Sequence, residues 1–149
     1  MAESGVADLG TGLLLVDRQK LVADSRFFPK LAIMKSQDPR IVRLEQISLD
    51  CLRYLPVANL KELIEMAQKF VCPDHVVGSL LLTEPRCLGF VPYGVHRLIL
   101  AGVEFEGADF HLYYPIVVRV GNKWMPSYVL GKALGGQGWG VLHYETTGF

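Results

Sequence analysis

Hydrophobic and polar positions recur with two different periods along this chain, and the change comes near residue 72. From Leu60 onward, Leu63, Ile64, Ala67, Phe70 and Val71 follow the i, i+3, i+4, i+7 spacing of a core-facing helical stripe. Asn59 and Glu62 before that stripe form the N-x-x-E variant of a capping box, so a helix starts there. An earlier run, Ile41, Leu44, Ile47, Cys51, Leu52 and Leu55, also falls broadly on one side of a helix. Asp38 suits its N-cap, Pro39 its first position, and Pro56 stops it. Further upstream, Leu13 to Asp24 reads as a short hairpin turning at Asp17 to Lys20, or else as the start of a helix that ends before Pro29, and residues 1–10 are expected to fray.

Beyond Cys72 the pattern is that of strands. Val76 to Thr83 and Cys87 to Val91 are predicted strands separated by Glu84-Pro85, and His96 to Glu106 leads into a turn at Gly107-Ala108. From Asp109 to Val120 the alternation is clear: Phe110, Leu112, Tyr114, Ile116, Val118 and Val120 face one way, expected to be the core, and Asp109, His111, Tyr113, Val117 and Arg119 the other. Gly121-Asn122 is a two-residue hairpin signal, and Trp124 to Leu130 returns antiparallel. If both turns have two residues, register follows: Glu104 opposite His111, Phe105 opposite Phe110, Val118 opposite Met125, Arg119 opposite Trp124 and Tyr113 opposite Leu130. Pro115 and Pro126 cannot donate to a ladder and belong at an edge, at a bulge or with their nitrogens facing outward. The predicted fold is α+β, two central helices packed on a mainly antiparallel, curved sheet formed by the C-terminal half, in a single domain spanning residues 1–149.

Composition narrows the classes of function. At 149 residues the chain is long enough for one core without disulfide or metal staples. Half of it is hydrophobic and the mean hydropathy is +0.27, more apolar surface than a minimal monomer needs, which points to an interface, a homodimer or a lined cavity. Lys+Arg and Asp+Glu balance at 15 each, and no RNP-like motif is present, so there is no strong signal for nucleic acid. No signal peptide or apolar span for a bilayer is visible. Cys51, Cys72 and Cys87 suit free thiols in a reducing compartment, and the expectation is a soluble cytoplasmic protein.

Four places could carry chemistry. The glycine-rich run GKALGGQGWG, residues 131–140, departs from both the Walker loop and the dinucleotide fingerprint, and a strand-like stretch follows it where a helix should supply amides. It reads as a pliable connection that lets Trp139 fold over neighbouring aromatics. Cys72 and His75 have the gap that lets a thiolate and an imidazole share zinc, but no second close pair exists, so neither a metal nor a cofactor is expected. The predicted Glu104 and His111 pair is the acid/base candidate, because a carboxylate facing an imidazole orients it and favours its cation; an exposed pair near a hairpin end is the plainer account. His143 and Glu145 alternate with Trp139 and Val141 onto one face of the last strand, where they could join Tyr113, Trp124 and Tyr128 in an aromatic-lined cleft.

These observations order three functions. The first is a binding module acting through a protein partner or self-association. The second is a small-molecule-binding protein or simple acid/base enzyme with catalytic Glu104, His111 and His143 and ligand-binding Tyr113, Trp124, Tyr128 and Trp139, set in a cavity between helices and sheet. RNA binding comes last.

Overall fold

The computed structural model describes residues 6–10, 13–17, 32–37, 44–48, 52–83 and 88–144. In chain order the elements are β1 (Val6–Gly10), β2 (Leu13–Asp17), β3 (Ala32–Gln37), β4 (Leu44–Ser48), β5 (Leu52–Pro56), α1 (Leu60–Lys69) and α2 (His75–Thr83). Then follow β6 (Arg97–Ile99), β7 (Val103–Gly107), β8 (Leu112–Val120), β9 (Lys123–Leu130), a 3-10 turn (Gly131–Ala133) and β10 (Trp139–Tyr144). The architecture is α+β: two helices and an open, mostly antiparallel sheet. No helix among the described residues is long and apolar enough to cross a membrane.

The main sheet runs β3-β7-β8-β6-β10-β5, with β9 on the other side of β8, and β6 with β10 is its parallel pair. A smaller antiparallel sheet, β1-β2-β4, is separate. Successive residues of the main sheet enter two cores. Leu98, Val117 and Leu142 pack with Val77, Leu80 and Leu81 of α2, whereas Ile99, Ile116 and Val141 pack with Leu63 of α1. Strand alternation therefore puts one helix on each face. Each fully buried leucine, such as Leu52, Leu63 or Leu98, contributes roughly 1.5–3 kcal/mol relative to exposure.

Helix α1 starts where its capping box says. Asn59 Oδ1 accepts from Glu62 N–H at 3.0 Å, and Glu62 Oε2 accepts from Ala58 N–H at 2.8 Å. It stops two residues short of Val71, because Phe70 leaves helical geometry while its N–H still reaches Met66 O at 2.8 Å. The other predicted helix is corrected: Leu44–Ser48 and Leu52–Pro56 are strands β4 and β5. Register with β10, Leu52 opposite Tyr144 and Leu55 opposite Val141, draws this segment into the sheet, and such pairing overrides helical spacing. Asp38, Pro39, Ile41 and Cys51 lie outside the described residues, as do the return of the predicted N-terminal hairpin, Cys87 and Glu145. Val6–Gly10, expected to fray, pairs with β2.

The predicted strand Val76 to Thr83 is helix α2. Buried Asp74 caps it, Oδ1 accepting from Val76 N–H at 3.1 Å and Val77 N–H at 3.2 Å. Leu88 to Val91, expected as strand, instead closes a turn through Val91 N–H to Leu88 O at 3.1 Å.

The β8–β9 hairpin has the predicted register throughout, including Arg119 opposite Trp124 and Tyr113 opposite Leu130. Both prolines are accommodated by it. A two-residue turn makes Val120 and Lys123 a hydrogen-bonded pair, so Pro126 falls where the β9 backbone turns away from β8. Pro115 falls where pairing of β8 with β7, ending at Tyr113, gives way to pairing with β6, starting at Ile116.

Candidate functional site

The β7–β8 turn departs from expectation, and the departure builds the site. Phe110 N–H donates to Gly107 O and Gly107 N–H to His111 O, each at 3.0 Å, so the loop has three residues instead of two. A three-residue loop of this kind needs its last residue in the left-handed region, and Phe110 takes it with φ 64°. Phe105 consequently faces Tyr113, and the predicted register of Glu104 opposite His111 does not form. Asp109 holds the turn: Oδ1 accepts from His111 N–H at 3.1 Å and Oδ2 from the Tyr113 hydroxyl at 2.6 Å. Those bonds hold the Asp109 carboxyl below its ordinary value, the Tyr113 bond contributing most, and the same bond raises the Tyr113 phenol. A Cβ at Gly107 would lie 2.7 Å from the Tyr113 ring and 2.8 Å from Asp109 Oδ1, so a side chain there would push against this bonded pair.

Between this hairpin and α1 lies an open groove of about 350 Å³. Leu60, Ile64, Leu112 and Tyr114 make it apolar, and Glu104, His111 and Lys132 bring charge or a titratable group to it. Phe110 and Ile64 are its exposed apolar members, 83% and 45% accessible. Ile64 was expected to face the core; it sits at the margin of the α1 stripe and meets the groove instead. Burial, with Glu104's charge as the lesser cause, pushes the Tyr114 phenol up to about 12, so it stays a neutral hydroxyl at physiological pH.

The other sequence candidates are dispersed. Glu104 and His111 share the groove, but His143 is buried on β10, its ring 4.4 Å from the Phe70 ring and its Nδ1 3.1 Å from Tyr144 O. Tyr113 is tied to Asp109. Tyr128 meets Phe105 edge-on at 5.5 Å, and Phe105 meets His75 likewise at 5.1 Å. Trp124 lies against the Arg119 guanidinium at 4.4 Å and packs with the α2-side core. Trp139 packs in the α1-side core with Arg97 over its ring at 5.2 Å, so it does not close over Trp124 and Tyr128. The glycine run connects β9 to β10 as expected. Gly138 O accepts from both His96 N–H and Arg97 N–H, and Gly136 N–H donates to Val57 O, so these groups of the run tie it to the fold. A side chain at Gly135 would overlap Ala58 and one at Gly138 the His96 ring.

Of the groove's lining, sequence reasoning named Glu104 and His111 and missed the rest, Phe110, Ile64 and Lys132 among them. Phe110 carries no signal, because glycine or asparagine would ordinarily mark a left-handed position. Among the described residues no group of three or more His, Cys, Asp or Glu is placed to hold a metal ion. Comparison with protein-family models, curated proteins and solved structures finds no match.

Proposed function

We propose that this chain is a binding module and that the groove between α1 and the β7–β8 turn receives an apolar side chain of a protein partner. The observation that carries this reading is Phe110. A bulky residue in the left-handed region costs of order 1–3 kcal/mol, and such strain concentrates at binding and switch positions. Here the strain holds an aromatic ring in solvent at the border of an apolar groove, and aromatic residues are enriched at interface cores. N-acetylphenylalaninamide serves as a probe: in methyl NMR spectra it should shift Leu60, Ile64 and Leu112 selectively. Absence of any shift at those methyls at the probe's solubility limit would count against the groove as a binding site.

A second reading, acid/base chemistry on a small molecule, is favoured by one fact: Glu104 and His111 both line this groove, with Lys132 beside them. Its volume is at the small end of the range, about 300–1,000 Å³, that holds small ligands.

A further inference from the structure

We infer that the occupant of the groove is the Phe110 ring of a second copy of this chain, the two copies exchanging rings across a twofold axis. The inference rests on the reading of the groove as a binding site and names its partner. A twofold interface uses one patch twice, so that patch must hold both a projection and a recess. Phe110 and the groove meet this condition within a few residues: the ring is largely in solvent, and the recess beside it has room for an aromatic side chain.

Charge favours the same partner. Glu104 and Lys132 line a groove that is otherwise largely apolar, and a purely apolar occupant would strip water from both without compensation. A second copy brings its own Glu104 and Lys132, so that an acid on one side can face a base on the other twice over. The chain's formal net charge of zero leaves no global repulsion to oppose this approach. One other route to self-association, edge pairing of β9, is blunted by Pro126, which lacks a donor at a position where the strand faces away from β8. Exposed Ile64 extends the apolar patch along α1.

The test is sedimentation equilibrium of the full chain from micromolar to millimolar concentration, on wild type, Phe110→Gly, Ile64→Glu and an equimolar mixture of the two variants. Phe110→Gly removes the projection and suits φ 64°, so it should fold at least as well as wild type by thermal melting. Ile64→Glu alters the recess at an exposed helical position. Wild type should dimerise reversibly, and each variant alone should dissociate at least about 30-fold more readily, as expected for an aromatic hot spot. The mixture should associate more than either variant alone, because one copy still offers a ring and the other a groove that keeps Ile64 and lacks only Phe110's own share of the lining. A wild type that stays monomeric, a Phe110→Gly that dimerises like wild type, or a mixture without restored association would each overturn the exchange. If wild type stays monomeric while N-acetylphenylalaninamide still shifts the groove methyls, the second copy is the wrong occupant and the groove reading survives; with neither signal, both fall.

Discussion

Asp109 does at residue scale what a glycine would do at less expense. Two bonds from its carboxylate, to His111 N–H and the Tyr113 hydroxyl, set the turn in which Phe110 must take φ 64°. Because the folded state holds the Asp109 carboxyl below its ordinary value of 3.8, the contribution is present above that value and is lost as pH falls through the lower, folded one. Tyr113 works at the opposite end: raised above 10, its protonated hydroxyl contributes below that value and the contribution is lost as pH rises through the folded one. The turn is therefore intact across neutral pH. In a carboxyl-carbon NMR titration Asp109 should show a midpoint below 3.8, and Tyr113→Phe should move it up towards that value, since the Tyr113 bond is the largest cause. A midpoint unchanged in the variant would break the link. None of this was legible in the sequence: Gly107-Ala108 resembles a two-residue turn, and the extra residue shifted the facing pairs, which is why Glu104 and His111 meet at a groove and not across a ladder.

At the scale of elements, caps decided more than periodicity did. Asn59 with Glu62 marked α1 correctly, because a capping box is a local signal that tertiary contacts seldom overturn. The same kind of signal at Asp74 precedes Val76 to Thr83, buried from Val76 to Leu81, whose pattern predicts a strand; continuous apolar sequence cannot separate a buried helix from a strand. The segments Leu44–Ser48 and Leu52–Pro56 failed in the opposite direction, since ladder pairing with β2 and β10 overrides a helical spacing of apolar residues. The β8–β9 hairpin was legible residue by residue because Gly121, at φ 62°, fits the turn that Gly-Asn encodes. The caps also differ in weight. Asn59 caps at the surface, whereas Asp74 is fully buried and accepts from two amides, so removing it strands donors away from water. In urea denaturation Asp74→Ala should cost about 2 kcal/mol or more and Asn59→Ala about 1 kcal/mol. Equal or reversed costs would mean that burial of the cap does not matter here.

For the whole molecule, the two-core arrangement depends on how the segment between α2 and β6 is fastened to the sheet. Leu88 and Val91 in that segment are buried against the α2-side core, and its described residues, 88–96, form no strand that could pair with the sheet. Arg119 on β8 supplies the attachment. Its Nη2 donates to Val91 O at 3.1 Å and its Nη1 to Pro92 O at 3.2 Å, while the guanidinium lies between the rings of Trp124, at 4.4 Å, and Tyr93, at 5.2 Å. Its backbone N–H adds a bond to His96 O at 2.7 Å. A planar fork that bonds two carbonyls and stacks on two rings is chemistry lysine cannot reproduce. Arg119→Lys keeps the charge and removes the fork, so any effect reports geometry and not net charge. Two charge-assisted bonds and two partly exposed stacking contacts together suggest a loss of about 2 kcal/mol. The loss should be local. Amide exchange at Val91 and Val95, whose N–H groups close turns onto Leu88 O and Pro92 O, should accelerate by about tenfold or more, and Trp124 emission should shift to the red as its cover lifts. Gly140 to Tyr144 of β10, held between β5 and β6, should exchange as in wild type. If exchange at Val91 and Val95 stays unchanged while Trp124 is uncovered, the segment is held by the burial of Leu88 and Val91 alone, and Arg119 is only a lid on the tryptophan.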